Sequence, residues 1–318
     1  MRQHIQTDSI THQLLRAFRR NVFTMSQAYA ACSSRPRESI RARIYESLGR
    51  KFERIEKGVY SATLAGLQTI LVEGDGRNLS FLKDKSIDAI ITDHPWRDEH
   101  GHKGGNRNFA SSYESIEYQQ QDFYEKARVL KDGCFLVEFL PLENETNWKA
   151  LARIKEFAAN AGFHYYAKVP YYENRVRNTG RTSKAGGDVL IFSKGKARSL
   201  RPDVKKNKAA GVTDGHYMSG AAGMLPVYLN APLPSKKDMR HQSQKSLALI
   251  KALLSYITRQ GELVLDQFAG SFATCMACAE IKRLSIGIEA NRAFIEQAAA
   301  WFHAENYRTV VTTNSTIS

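Results

Sequence analysis

The sequence predicts an α/β fold built on a doubly wound, mostly parallel sheet, with a smaller helical unit before it. From about residue 64 onward, apolar strand-like runs alternate with segments of helical periodicity, which is the pattern of successive βα units. The chain has 318 residues and is 42% hydrophobic, which allows one sizeable core and a smaller appended unit. We therefore divide it into a unit of residues 1–63 and a main domain of residues 64–318.

The first unit contains two predicted helices, near residues 25–32 and 36–48, separated by a Ser-Ser-Arg-Pro turn and followed by a short hairpin. The second helix has apolar residues four apart, which form a predicted buried stripe: Ile40, Ile44 and Leu48. The arginines in and after this helix stay available to solvent or phosphate: Arg37, Arg41, Arg43 and Arg50. This arrangement resembles a winged helix-turn-helix module that binds DNA. The alternative is a basic helical cap that packs on the main domain and contacts no nucleic acid.

The main domain follows the same alternation to its end. Strands are predicted at residues 69–74, 88–93, 133–140, 163–171, 188–194, 262–268 and 284–289. Helices are predicted near residues 115–130, 147–161, 242–259, 272–282 and 291–305. Between residues 195 and 240 the alternation of strands and helices stops, and the sequence is rich in Gly, Ala, Lys and Pro. This stretch is either an ordered specificity loop or a mobile linker.

Charge and cysteine usage limit the classes of function. Forty-six Lys and Arg against 32 Asp and Glu give a formal charge of +14, which favours a polyanionic partner. The four cysteines are too few and too scattered for a disulfide framework, and Cys275 and Cys278 lack the second ligand pair of a zinc site, so we predict no metal. We find neither a signal peptide nor an apolar run long enough to span a membrane, and expect a cytoplasmic protein.

One candidate binding site lies where the strand at residues 262–268 enters a turn of small residues. Asp266 lies in this strand, Gly270 and Ser271 form the turn, and Glu289 ends the next predicted strand 23 residues after Asp266. A helix that begins at such a turn presents unpaired N–H groups to a ligand, and a carboxylate at the next strand end can accept both ribose hydroxyls of a nucleoside. The alternative is a plain packing contact between helix and strand.

A second candidate site follows the apolar strand near residue 90, where the sequence reads Asp93-His94-Pro95-Trp96. An exocyclic amino group of a base is a poor nucleophile because its lone pair is delocalised into the ring. The Asp93 carboxylate and the His94 carbonyl can accept its hydrogen bonds and draw the nitrogen toward tetrahedral geometry. Pro95 stiffens the turn and Trp96 offers a face on which an extruded base can stack. Alone, Asp93 could equally be a turn-capping aspartate.

These two segments resemble the amino-methyltransferases of DNA. The tetrapeptide at residues 93–96 resembles the family's D/N/S-P-P-Y/F/W motif, and a companion cofactor motif is matched by Asp266, Phe268, Gly270, Ser271 and Thr274. The catalytic motif precedes the cofactor motif, as in the β class. The resemblance implies a Rossmann-like S-adenosylmethionine-dependent methyltransferase fold with a mixed, mostly parallel sheet, S-adenosylmethionine as cofactor, double-stranded DNA as partner and a possible homodimer.

The resemblance also implies further site residues. Asp75 would lie at the edge of the cofactor adenine, and His241, Lys245 and Ser246 would contact its methionine end. We expect target recognition within residues 195–240, where basic residues can follow phosphates: Lys196, Arg198, Arg201, Lys205, Lys206 and Lys208. The alternative for this stretch is a solvated basic linker.

Several positions depart from the family pattern. His94 replaces the first proline of the tetrapeptide, and Phe272 and Ala273 replace a glycine and a threonine, which would bring a bulky side chain into the cofactor turn. Gln267 and Ser246 each stand where proline is common. Asp rather than Ser at position 93 favours N6 of adenine as the target. The alternatives are an N4-cytosine DNA methyltransferase, an RNA adenine methyltransferase, and a DNA-binding regulator on a catalytically weak methyltransferase scaffold.

Overall fold

The structure of the chain is a computed structural model. The structure describes residues 9–18, 22–48, 52–62, 67–95, 116–145, 147–173, 177–178, 183–184, 186–200, 220–232, 244–305 and 307–314. No helix within these ranges is both long enough and apolar enough to cross a membrane.

The N-terminal unit contains three helices and a small antiparallel sheet. Its elements are α1 (Ile10–Ala17), β1 (Val22–Thr24), α2 (Met25–Ala31), α3 (Arg37–Glu46), β2 (Phe52–Glu56) and β3 (Val59–Ala62), with the strands in the order β1-β3-β2. The two predicted helices and the hairpin are present, whereas α1 and β1 were not predicted. Ile40 and Ile44 are fully buried, as predicted for the apolar stripe of this helix. The winged helix-turn-helix assignment stays a prediction.

Residue types explain where these elements begin and pack. Thr24 caps α2 through a reciprocal pair of hydrogen bonds with Gln27, in which each side chain accepts from the other's backbone N–H. The small core combines aromatic and aliphatic side chains from all three helices and the sheet: Leu14, Phe23, Ala28, Cys32, Ile40, Ile44, Phe52 and Tyr60. Ile55 of β2 packs against the main core, so the hairpin contacts the second unit.

The main domain is organised around a nine-stranded sheet. Its strands are β4 (Leu67–Glu73), β5 (Ile87–Thr92), β6 (Leu130–Leu140), β7 (Phe163–Glu173), β10 (Gly187–Lys194), β11 (Leu229–Ala231), β12 (Leu263–Asp266), β13 (Leu284–Glu289) and β14 (Arg308–Thr313). Two further short strands, β8 (Arg177–Asn178) and β9 (Ser183–Lys184), pair with each other. The sheet order is β11-β7-β10-β6-β5-β12-β13-β4-β14, and β10 alone among these nine runs antiparallel to both its neighbours. The predicted mixed, mostly parallel α/β fold is confirmed.

Helices cover both faces of this sheet. They are α4 (Gln120–Val129), α5 (Trp148–Asn160), α6 (Leu247–Ile257), α7 (Ala273–Glu280) and α8 (Arg292–Ala304). Successive residues of β5 point to opposite faces of the sheet. Ile90 packs in the hydrophobic cluster that contains residues of α4 and α5, and Ile91 packs in the cluster that contains residues of α6 and part of α7. Burial on both faces explains why the central strands are continuous apolar runs rather than alternating ones.

The strand order brings two distant parts of the chain together. β5 lies beside β12, with Ala89 opposite Val264 and Ile90 opposite Leu265, and β12 lies parallel to β13. Because all three run in the same direction, their carboxyl ends meet at one edge of the sheet. The chain connects outward from β5 to β6 on one side and from β12 to β13 on the other. This is the switch point of an open α/β sheet, where ligands bind.

Candidate active site

Three carboxylates lie at the carboxyl ends of three adjacent strands. Asp93 directly follows β5, Asp266 ends β12 and Glu289 ends β13. Asp266 is 5% exposed, and its pKa is raised to about 7, chiefly by burial and further by the neighbouring charges of Asp93 and Glu289. The site therefore carries excess negative charge in a poorly solvated place, and it favours a cationic ligand.

The β12–α7 turn, which joins β12 to α7, is tied to the end of β13. The Gly270 N–H donates to Glu289 Oε2 at 2.8 Å, and the Asn291 N–H donates to Glu289 Oε1 at 2.8 Å. A carboxylate has about four acceptor positions, so Glu289 is held in place with capacity left for a ligand's hydroxyl groups. Gly270 has a φ of 49°, and a Cβ built on it would meet nothing within 4 Å. The backbone at Gly270 is therefore open to close approach.

A second turn packs beside the first. After β4 the chain passes through Asp75 and Gly76, and a Cβ on Gly76 would lie 1.9 Å from the Gln267 carbonyl oxygen. The Gln267 side-chain amide in turn donates to the Gly76 carbonyl at 2.8 Å. The Asp75 carboxylate binds the Arg77 guanidinium at 2.8 Å, and this hydrogen bond lowers the pKa of Asp75. Gln267, which stands where the family often has proline, thus fixes Asp75 next to the β12–α7 turn.

Lys245 reaches the site from the residue before the cap of α6. Its Nζ lies 2.6 Å from Asp93 Oδ2, and 5.5 Å from the centroid of the Phe139 ring. Burial opposes the charge of Lys245, but attraction to Asp93 and Tyr171 outweighs it, and the pKa of Lys245 is raised. Sequence reasoning placed Lys245 at the methionine end of a cofactor. The structure adds a direct ion pair with the candidate base-binding carboxylate.

Comparison with known proteins assigns the family. A family model described as DNA methylase, for N6 and N4 methyltransferases, matches residues 87–300, from the start of β5 into α8. The chain belongs to the DNA methylase family. The type II methyltransferase M.HpaI of Haemophilus parainfluenzae is 26% identical over 242 residues, which are 73% of this chain and 73% of that protein.

Solved structures support the fold of this methylase. The M1.HpyAVI–SAM complex aligns at 21% identity and a TM-score of 0.50, over 73% of this chain and 98% of that one. The PvuII DNA methyltransferase, described as cytosine-N4-specific, aligns at 16% identity and a TM-score of 0.52, over 74% of this chain and 86% of that one.

S-adenosylmethionine is the cofactor of this family, and the residues at the strand ends fit it. The cofactor carries a cationic sulfonium, which suits the acidic surroundings of Asp266. It also carries a ribose with two hydroxyls, which suits the free acceptor capacity of Glu289. The open backbone face at Gly270 provides room for close approach.

Phe272 does not place its side chain in the open β12–α7 turn, contrary to the sequence-based expectation. The residue adopts a left-handed φ of 59°, a conformation that glycine adopts freely, which explains the glycine usual in the family. Its ring is fully buried in a cluster with Leu71, Met276 and Phe302, and two of its atoms would lie 2.8 Å from a Cβ on Gly287. The bulky side chain therefore points into the core, away from the open face of Gly270. Thr274 is buried and hydrogen-bonds Asp266.

The His94 side chain is buried directly beneath the candidate catalytic turn. Its ring stacks on Tyr118 with centroids 3.8 Å apart, and it meets the edge of Phe268 at 5.7 Å. Burial lowers the pKa of His94 to about 3, so the ring is neutral, and Nε2 donates to the Ile116 carbonyl. The Ile116 N–H donates to the Pro95 carbonyl at 3.2 Å. Trp96 and His241 lie outside the described residues.

The predicted DNA-contacting residues have different positions. The α3 arginines at positions 37, 41 and 43 are exposed, and Arg43 pairs with Glu46 at 2.5 Å. Arg198, expected to follow phosphates, instead pairs with Glu262 at 2.6 Å in a largely buried contact, so that expectation was wrong. Five of the predicted residues lie outside the described ranges: Arg50, Arg201, Lys205, Lys206 and Lys208.

Sequence reasoning missed a buried charged cluster below the site, formed by Tyr118, Lys126 and Glu138. Lys126 and Glu138 are fully buried, and their side chains pair at 2.5 Å. The available signal was a glutamate inside the apolar run of β6, since charged residues are almost never fully buried unless paired. Within the part of the chain that the structure describes, no group of three or more His, Cys, Asp or Glu side chains is arranged to hold a metal ion.

Proposed function

We propose that this methylase transfers the methyl group of S-adenosylmethionine to N6 of adenine in double-stranded DNA. The observation that carries the proposal is the meeting of two halves of a site at the switch point of the sheet. Asp93 and His94 follow β5, and the cofactor turn with Asp266 and Gly270 follows β12, the strand beside it. A base held at the first half would lie next to a methyl donor held at the second.

The chain's own groups supply the means to activate an amine. The Lys245 ammonium donates a hydrogen bond to Asp93 Oδ2. The other carboxylate oxygen of Asp93 can therefore accept a hydrogen bond from the exocyclic amino group. The His94 carbonyl accepts the second amino hydrogen, and together the two acceptors draw the nitrogen lone pair out of conjugation with the ring. The cofactor supplies an electrophilic methyl group on its sulfonium. Rate is gained chiefly by positioning the nitrogen in line with that group and by excluding water.

We assign the remaining positions on the same basis. Glu289 accepts the ribose hydroxyls, Asp75 faces the cofactor adenine, and the backbone at Gly270 and Ser271 lies against the cofactor. Phe268 and Thr274 support this turn, while His241, Lys245 and Ser246 are assigned to the methionine end. Pro95 stiffens the catalytic turn, and the target base leaves the duplex and stacks on Trp96.

DNA engagement is assigned to two other regions. Residues 1–63 present an exposed helix, α3, that carries Arg37, Arg41 and Arg43, and a basic helix of this kind can follow phosphates or enter a groove. Residues 195–240, with Lys205, Lys206 and Lys208, are assigned to target recognition.

Nucleoside analysis tests the reaction and the target base together. Purified protein is incubated with S-adenosylmethionine and duplex DNA of mixed sequence, the DNA is digested, and N6-methyladenine and N4-methylcytosine are measured by mass spectrometry. We expect N6-methyladenine, because Asp at position 93 favours adenine. N4-methylcytosine alone would refute the adenine assignment, and methylation of RNA but not of DNA would refute the substrate class.

The variant Asp93→Ala tests the acceptor role. It should bind S-adenosylmethionine about as well as the wild type in calorimetry but lose methylation, because the amino group has lost its charged acceptor. Glu296→Ala, at an exposed position on α8, is the control and should keep wild-type activity. Retained methylation in Asp93→Ala would contradict the proposed chemistry.

A further inference from the structure

His94 occupies the position at which the family has proline, and the structure shows what constrains the chain there instead. Proline restricts the backbone through its ring. Here the His94 ring stacks on Tyr118, at 3.8 Å, meets Phe268 edge to face at 5.7 Å, and donates a hydrogen bond to the Ile116 carbonyl. We propose that the buried cluster of Tyr118, Lys126 and Glu138 is a positioning device that holds His94, and through it the base-binding carbonyl, in place of the missing proline. This inference rests on the proposed function of that carbonyl.

The first step is that Tyr118 is fixed on more than one side. Its hydroxyl donates to Glu138 Oε2 at 2.9 Å, and the Lys126 ammonium lies 3.8 Å from its ring centroid. Tyr118 also meets Phe123 edge to face at 5.3 Å. A ring held by a hydrogen bond, a cation and an aromatic neighbour has little freedom to tilt or slide.

The second step is that the charged pair is itself fixed. Lys126 comes from α4 and Glu138 from the middle of β6, so the pair joins a helix to the central sheet. Burial lowers the pKa of Lys126 and raises that of Glu138, and their mutual attraction opposes both shifts. Two charges in the core carry a large desolvation cost, and apolar residues of similar size would fill the space without it. Packing alone therefore does not explain why charged residues stand here.

The third step is that the constraint reaches the catalytic turn. His94 directly follows Asp93, and its ring contacts lie on both halves of the site: Tyr118 precedes α4, and Phe268 belongs to the β12–α7 turn. The Ile116 N–H also donates to the Pro95 carbonyl, so Ile116 bonds both the His94 ring and the residue after His94. Fixing the His94 ring thus limits rotation of the peptide whose carbonyl accepts the target amine. Tyr118, Lys126 and Glu138 act through His94 and are positioning residues.

A double-mutant cycle tests this inference. The variants are Tyr118→Leu, His94→Pro and the two combined, with Tyr124→Leu, an exposed tyrosine on α4, as the matched control. The measurement is the single-turnover methylation rate at saturating cofactor and DNA, with cofactor affinity measured separately. Tyr118→Leu should lower the rate by about tenfold or more in the wild-type background, with cofactor affinity unchanged within about twofold. In the His94→Pro background the same substitution should cost no more than about twofold, because proline constrains the backbone without the cluster.

Equal losses in the two backgrounds would overturn the inference, because they would assign Tyr118 a general structural role. Should Tyr118→Leu fold poorly, Tyr118→Phe removes only the hydroxyl, and it should lower the rate by about fivefold, on the order of one hydrogen bond. An unchanged rate in that variant would also overturn it.

Nuclear magnetic resonance of the His94 imidazole gives a readout that does not depend on methylation. In the wild type the ring should remain neutral, with its proton on Nε2, at pH 5. In Tyr118→Leu it should begin to titrate at that pH, because the ring that shields it has gone. A His94 that titrates near pH 6.5 in the wild type would refute the positioning device, whereas an inactive wild type with a neutral His94 would refute only the proposed function.

Discussion

Asp266 should make the cofactor-free protein less stable as the pH rises, and its replacement by asparagine should remove that effect. The pKa of this carboxyl is raised to about 7 in the folded protein, from an ordinary value of 3.8. Between these values the folded state holds a proton that the unfolded state releases, so the free energy of unfolding falls as the pH rises from about 4 to 7 and is level above that.

The magnitude follows from the same two values. A difference of about three pKa units, at 1.36 kcal/mol each, gives a maximum cost of ~4 kcal/mol above pH 7. Between pH 5 and pH 8 the cost should grow by about 2–3 kcal/mol, since part of it is already present at pH 5. The substitution Asp266→Asn removes this charge, and the amide oxygen of the new side chain can still accept the Phe268 N–H that Asp266 accepts at 3.3 Å.

Urea unfolding of wild type and Asp266→Asn at pH 5 and pH 8, without cofactor, measures this cost. The stability advantage of the variant should be larger at pH 8 than at pH 5 by the amount given above. Subtracting the wild type at each pH cancels the contribution of other titrating groups, including His94, whose lowered pKa acts in the opposite direction between pH 3 and pH 6.5. An advantage that is equal at the two pH values would refute the reasoning.

Three further predictions concern packing, the ion pair and DNA. Gly287→Ala should destabilise the fold by about 1–3 kcal/mol in thermal or urea unfolding, because the added Cβ would lie 2.8 Å from the Phe272 ring. Adding Phe272→Leu should recover part of that loss. An unchanged free energy of unfolding in Gly287→Ala would contradict the placement of the Phe272 ring. Lys245→Met should lower the single-turnover methylation rate by more than about tenfold, because Asp93 loses its ion-pair partner, and Lys245→Arg should retain more activity. If Lys245→Met changes only the affinity for the cofactor, Lys245 acts on the cofactor and not through Asp93. Arg41→Ala should weaken DNA binding equally for all DNA sequences, as measured by fluorescence anisotropy. It should also reduce the slope of the logarithm of the binding constant against the logarithm of the salt concentration by about 0.9. An unchanged slope would show that Arg41 of α3 does not contact the DNA backbone.

The meeting of the three strand-end carboxylates could be predicted because it depends on local pattern. Asp93, Asp266 and Glu289 each end or directly follow an apolar run, and parallel strands place such ends at one edge of a sheet. The helices and strands of the main domain were located for the same reason. Both edge strands of the sheet were missed. Only one of the six residues of β14 is buried, which leaves little apolar signal, and β11 has only three residues.

Side-chain directions and contacts between distant segments could not be predicted from the local pattern of residues. The direction of the Phe272 side chain follows from a left-handed backbone torsion in the turn, which residue type alone does not favour. Arg198 was interpreted as a phosphate contact because it lies in a basic stretch, but its partner, Glu262, is 64 positions away in the chain. The pairing of His94 with Tyr118 depends on how residues after β5 return to the sheet, and composition carries no information on that path.

The neighbouring positions of β5 and β12 also affect how the domain can be assembled. During synthesis β4 and β5 emerge early, yet β12 and β13, which lie between them in the sheet, are made near the end. Until then both early strands have an unpaired edge, which is the kind of surface that promotes aggregation. Contacts of such long sequence separation also slow folding. A ribosome-bound chain halted before residue 260 should therefore hold the five strands β11-β7-β10-β6-β5 as one partial sheet, with β4 still lacking both of its sheet neighbours. The site would form only when the last strands insert.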